Sequence, residues 1–154
     1  MIVLDRLSKS WAVDALPLGT AEGPNLGIVR LTMVHNEGAA FGMGQGHPEV
    51  FAAIALVILV AIVAWLAIGK RHGRVETLAL ALIAAGAVGN VIDRLTSGYV
   101  VDFFDFTFID FPVFNVADIC VTCGVVLFMI AVLFLMGEDG DSGEPGAEAT
   151  GSRE

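Results

Sequence analysis

The sequence predicts a membrane protein that is mainly α-helical, with four transmembrane helices, the first apparently truncated, and a small extracytoplasmic β-sheet. Three observations carry that prediction. The first is composition: 56% of the 154 residues are hydrophobic and 16% are charged, with a mean hydropathy of +0.78, well outside the balance of a soluble domain. The second is the clustering of this excess into uncharged runs: 20 residues from Val50 to Gly69, 16 from Thr77 to Ile92 and 19 from Ile119 to Gly137. A spanning helix needs about 20 apolar residues, with a practical floor of about 17, so two runs suffice outright. The middle run suffices once Val75 and the end at Asp93 sit among lipid headgroups. The third is a stretch rich in β-branched residues, Leu26 to Val34, between the first two helical segments.

Taken in order, the elements are a helix over about 1–16, an outer β region over about 19–47, helices over about 50–69 and 75–95, an outer loop over 96–117 and a helix over about 118–137. Residues 1–137 form one integral-membrane domain, and 138–154 a disordered acidic tail. The first helix is anomalous. Only Met1 to Leu4 precede Asp5, Arg6 and Lys9, and 16 residues extend about 24 Å against a hydrocarbon core of about 30 Å. An apolar stretch of roughly ten residues ahead of Met1 is therefore expected. No apolar stretch of signal-peptide length follows the start. Asp5 and Lys9 stand at i, i+4 and are read as a structural ion pair.

In the β region, Ile28, Arg30, Thr32 and Val34 share one face of a strand and Val29, Leu31 and Met33 the other. The small-residue stretch from Asn36 to Gly42 follows, where Gly38 allows close approach of another chain. Gly86 and Gly89 are read as permitting close helix packing. The Tyr-, Val- and Phe-rich stretch between Gly98 and Pro112 provides another strand or an interfacial aromatic wedge. Orientation follows from Lys70, Arg71 and Arg74, three of the eight basic residues: a basic loop stays cytoplasmic. Residues 19–49 and 94–117 then face outward, and the C-terminal tail is cytoplasmic.

The formal charge of −9 is concentrated in that tail, where six acids stand against Arg153, a solvated composition. No basic, aromatic patch suggests a nucleic-acid partner. Cys120 and Cys123 lie one helical turn apart without a second ligand pair, and are read as packing residues. His35 and His47 lack the spacing of a zinc peptidase, and no serine has an elbow motif and a base. No metal and no cofactor are expected.

The chemistry-bearing residues are three aspartates at the outer ends of apolar segments: Asp93 in Gly89-Asn90-Val91-Ile92-Asp93-Arg94, Asp102 in Val100-Val101-Asp102-Phe103, and Asp118 in Phe114-Asn115-Val116-Ala117-Asp118. Carboxylates are costly beside hydrocarbon and mark function there. Two close together hold one protonated and one ionised member, an arrangement that activates water against a peptide bond. Helix capping by Asn115 and Asp118 is the alternative reading of the same residues. A cation-binding channel, transporter or scaffold is the competing class, disfavoured because the apolar runs are uncharged at their centres and no repeat is visible.

At these residues the chain resembles the lipoprotein signal peptidases, or signal peptidase II. The resemblance covers nearly the whole chain. It rests on five motifs in order: Asp5-Arg6-Leu7-Ser8-Lys9 as the first-helix Asp-x-x-x-Lys, Asn36-Glu37-Gly38-Ala39-Ala40-Phe41, and the three aspartate segments above. It departs from the family pattern at Arg6, where glutamine is usual, and in the short apolar stretch ahead of Asp5. The resemblance implies an aspartic-type endopeptidase of the bacterial inner membrane. Such an enzyme removes signal peptides from prolipoproteins, cutting before a diacylglyceryl-modified cysteine, with Asp102 and Asp118 as the catalytic pair. Asn36, Gly38, Asn90, Asp93, Arg94, Asn115 and Ala117 become substrate-binding or supporting positions. The three asparagines can hydrogen-bond an extended substrate backbone, and Arg94 can pair with Asp93 or a lipid phosphate. Expected partners are the lipid-modified prolipoprotein, membrane lipids and the inhibitor globomycin. The chain is expected to be a monomer.

Overall fold

The computed structural model describes residues 1–20, 23–39, 43–68 and 73–140, the last seven as helix backbone. Its elements are α1 (Ile2–Ala15), β1 (Val29–Asn36), α2 (Pro48–Ile68), α3 (Arg74–Ser97), β2 (Val100–Phe106) and α4 (Val116–Gly140). Lys70, Arg71 and His72 of the basic loop, Ala40 and Phe41 of the second motif, and tail residues 141–154 lie outside the described residues. The α4 backbone runs on to Gly140, past the expected end at 137.

Among the described residues, three helices are long and apolar enough to cross a membrane: Pro48–Ile68, Arg74–Ser97 and α4 over Val116–Leu133. The expected count of four is thus met only in part, because α1 has 14 residues and a length of about 21 Å. The distribution of side chains is that of a protein in lipid. On α1 the buried face is Asp5, Lys9 and Ala12, while Val3, Leu4, Leu7 and Trp11 are exposed. The charges of Asp5 and Lys9 turn inward because the protein interior offers them partners, while Ser10 and Asp14 stay exposed.

α3 and α4 run antiparallel and form the spine. Their axes approach where side chains are absent. A β-carbon on Gly86 would strike the Ala117 carbonyl and come 2.7 Å from Val121 Cγ2, and one on Gly124 would lie 2.8 Å from the Ala79 carbonyl oxygen. Small residues at such crossings let dispersion act at close range. α1 runs parallel to α3, so both point to the end where α4 begins. α3 stops there at Gly98, whose φ of 79° and N–H bond to the Arg94 carbonyl make a left-handed cap.

That end carries the sheet. β1 and β2 pair antiparallel, with Val29 opposite Phe106 and Asn36 opposite Val100. The register shifts between Leu31 and Val34, and Leu31, Thr32 and Met33 are consecutively buried. The strict alternation expected for this strand therefore fails at the irregularity, which turns neighbouring side chains to the same side. Phe114 pairs with Phe104 along the other edge of β2, anchoring the chain just before α4. Ala12, Leu16, Leu31, Met33, Val101 and Phe103 form the small core between α1 and the sheet.

Candidate active site

Asp102 and Asp118 arrive from different elements. Asp102 sits in β2, three residues after Tyr99, and is 2% exposed. Asp118 sits in the first turn of α4. Its helix start is a reciprocal cap: the Asp118 N–H donates to Asn115 Oδ1 at 3.0 Å and the Asn115 N–H donates to Asp118 Oδ2 at 3.1 Å. The capping role foreseen for Asn115 and Asp118 is thus real, and it coexists with a second arrangement. Asn115 Nδ2 donates to Asp102 Oδ1 at 2.6 Å, so one fully buried asparagine touches both aspartates.

The other asparagines complete the cradle. Asn36 Nδ2 donates to Asp102 Oδ2 at 2.9 Å, and Asn90 Nδ2 donates to Asp118 Oδ1 at 2.8 Å. All four carboxylate oxygens therefore accept an N–H. In this arrangement the amide nitrogens of Asn36, Asn90 and Asn115 hold the aspartates. Burial first, then the charge of Asp118, lifts the Asp102 carboxyl from 3.8 to about 7, against the opposing pull of Asn36, Asn115 and Lys9.

Behind the pair lies a buried ionic cluster. Lys9 Nζ is 3.0 Å from Asp5 Oδ2, 2.8 Å from Asp93 Oδ2 and 2.9 Å from Asn90 Oδ1. Arg6 pairs with the other oxygen of Asp93, and Asp5 Oδ1 accepts the Ala117 N–H at 3.0 Å. Asp5 and Lys9 do pair at i, i+4, yet they also join α1 to α3 and α4. Two readings change. Arg94 is not the partner of Asp93: its Nη2 donates to the Gly38 carbonyl at 2.8 Å and its guanidinium lies 5.7 Å from the Phe51 ring centre. Gly89 does more than bring helices together, because a β-carbon there would lie 2.5 Å from Asp5 Oδ2 and 3.3 Å from Ala117 Cβ. It makes room for the α1 carboxylate.

Gly38, at the far end of β1, has its N–H on Asn36 Oδ1 at 3.0 Å and no space for a β-carbon, which would strike the Met43 carbonyl. Gln45 Nε2 donates to the same Asn36 oxygen at 3.4 Å. The two aspartates line a cavity of about 400 Å³ whose apolar wall is Phe106, Phe111, Phe114 and Ile119. The stretch read as another strand or an aromatic wedge supplies both β2 and part of this wall; sequence reasoning missed that the wall borders the aspartates, and the role of Arg6. The run of phenylalanines between 103 and 114 was the available signal for the wall. Cys123, read as a packing residue, is exposed and lines the cavity, whereas Cys120 is buried. Among the described residues no three His, Cys, Asp or Glu side chains are grouped to ligate a metal.

The chain is similar to known proteins over most of its length. The family described as signal peptidase (SPase) II matches residues 1–134. A lipoprotein signal peptidase of Brevibacillus brevis is 43% identical over 139 residues, covering 90% of this chain and 92% of its own length. One from Streptococcus pneumoniae is 41% identical over 133 residues, covering 86% and 87%. A solved bacterial membrane enzyme superposes with a TM-score of 0.81 at 31% identity, covering 96% of this chain and 89% of that one. A second gives 0.76 at 34% identity, covering 86% of each.

Proposed function

The chain belongs to the signal peptidase II family, and from that premise we propose that it is a metal-independent aspartic endopeptidase that cuts prolipoproteins before the lipidated cysteine. Asp102 and Asp118 activate the water. One observation carries the reading: a strand aspartate and a helix aspartate share Asn115 at the wall of an apolar cavity at one end of the membrane helices.

Asp102, lifted to about 7, is the member that holds the proton, and Asp118 is the ionised one. Asp118 takes a proton from water as the water oxygen bonds to the scissile carbonyl carbon. Asp102 passes its proton to the developing oxyanion. Collapse of the tetrahedral intermediate breaks the C–N bond. Asp118 returns its proton to the leaving amine and Asp102 recovers its own, so one water is consumed. Charge count supports a single proton on the pair: Arg6, Lys9 and Arg94 then balance Asp5, Asp93 and one dyad carboxylate. The apolar wall suits an acyl chain or the hydrophobic signal segment.

The remaining features of the reading follow the same logic. α1, with its apolar outer face, is a fourth membrane-embedded helix. The chain sits in the bacterial inner membrane as a monomer, with the site on the extracytoplasmic face and the C-terminal tail in the cytoplasm. The test is cleavage of a diacylglyceryl-modified prolipoprotein by the purified protein in detergent, with and without globomycin. Cleavage on the amino side of the lipidated cysteine, blocked by globomycin and insensitive to chelator, is expected. Equal cleavage by Asp118→Asn protein would overturn the dyad.

A further inference from the structure

Lys9 is buried to 1% exposure on a helix that contributes no residue to the proposed water-activating pair. Its surroundings are specific. An ammonium can only donate: here it gives one hydrogen bond, to Asn90 Oδ1 at 2.9 Å, and stands at ion-pair distance from Asp5 Oδ2 and Asp93 Oδ2, 3.0 and 2.8 Å, two buried oxygens that accept no hydrogen bond. Two of these partners are carboxylates that hold the cation in place. The third leads to the site. Because Lys9 can only donate, Asn90 must face it with its carbonyl oxygen, which turns the amide nitrogen toward Asp118. Asn115 Nδ2 also donates to Asn90 Oδ1, at 3.2 Å. Every bond in the chain from Lys9 through Asn90 to Asp118 thus runs in one direction, and a cation at its head polarises the amide and strengthens the last bond.

We propose that Lys9 is a positioning residue of the dyad: anchored by Asp5 and Asp93, it orients and polarises the Asn90 amide so that the single negative charge of the pair resides on Asp118. This rests on the dyad reading above. The charges bearing on Asp102 are Asp118 on α4 and Lys9 on α1, and Arg94 on α3 bears on both aspartates. β1 contributes the uncharged Asn36. Loss of Lys9 removes one of the pulls that hold Asp102 down, so Asp102 keeps its proton to higher pH. A merely structural lysine would act on the amount of folded protein and leave this limb in place.

Lys9→Met alone strands two buried carboxylates, so the informative variant is Lys9→Met with Asp93→Asn, which removes one charge of each sign. Its kcat per folded molecule should fall by about 30-fold or more with KM within threefold, a threshold set below the 10²–10⁴ typical of losing the acid or base itself because both dyad carboxyls remain. The alkaline limb of the kcat profile should move up by at least half a pH unit. Adding Asn90→Ser should cost little further, since both changes cut one path. A folded double variant with wild-type kcat and an unmoved limb overturns the proposal, as do losses that multiply with Asn90→Ser. If that pair does not fold, Lys9→Arg carries the test: it keeps the cation and donors, so kcat within fivefold and an unmoved limb are expected. A folded Lys9→Arg protein with collapsed kcat and a displaced limb overturns it equally. Asp102→Asn is the control. Its cleaving at the wild-type rate would refute the dyad, whereas a dead Asp102→Asn beside unaffected Lys9 variants would refute only the role of Lys9.

Discussion

Replacing Asp102 with Asn separates what its carboxylate does for cleavage from what it costs the fold. The side chain is buried, and its carboxyl stands at about 7 where an exposed one stands at 3.8. The folded state therefore holds a proton that the unfolded chain releases. Stability falls as pH rises from about 4 to about 7 and is level above, and the full loss is about 4 kcal/mol. Asn does not ionise, so Asp102→Asn lacks this fall. It carries a separate penalty of about 1 kcal/mol, because one of the donors from Asn36 and Asn115 meets an NH2 group instead of an oxygen, and that penalty is the same at every pH. The measurement is the difference in Tm between the two proteins, followed in detergent by the fluorescence of Trp11 and Trp65. From pH 4.5 to 8 the wild type should lose about 3 kcal/mol relative to the variant, or about 6–12 °C for a chain of this size. Cleavage by the variant should be lost by a factor of about 10²–10⁴ or more. Tm curves that stay parallel within 2 °C over this range would refute the argument that burial of Asp102 keeps it protonated.

Two further outcomes are expected. Gly89→Ala should push Asp5 from its place against Lys9 and the Ala117 N–H, lowering stability by about 1–3 kcal/mol and reducing cleavage with it. A Gly89→Ala protein of wild-type Tm and activity would show that Asp5 has room to move. Single cysteines at Gln45 and Thr107, with Cys120 and Cys123 replaced, should react in intact cells with an impermeant thiol reagent, and labelling of Thr107→Cys only from the cytoplasmic side would invert the proposed orientation.

Much of this architecture is legible along the chain, because each such feature depends on neighbours in sequence. The uncharged runs set three helices long enough for a bilayer, since hydrocarbon thickness converts directly into residue number. The segment of β-branched residues places β1, and the cap at Asn115 and Asp118 places the start of α4. The five ordered motifs single out Asp102 and Asp118 as the pair to examine. The register irregularity between Leu31 and Val34 was not legible, because it depends on which β2 residue each position meets. Nor was the partner of Asp93. Arg94 is adjacent in sequence, but on a helix adjacent residues point about 100° apart, and Arg94 turns to the Gly38 carbonyl while Lys9 and Arg6 come across from α1. The same holds for the asparagine amides, which the sequence allows to face a substrate and which packing turns onto the aspartates. Sequence alone determined which groups are too polar to face lipid and where along the membrane they end. Only the tertiary structure decided who neutralises whom, because a buried charge takes whichever partner the crossing of helices brings within about 3 Å, regardless of its distance along the chain.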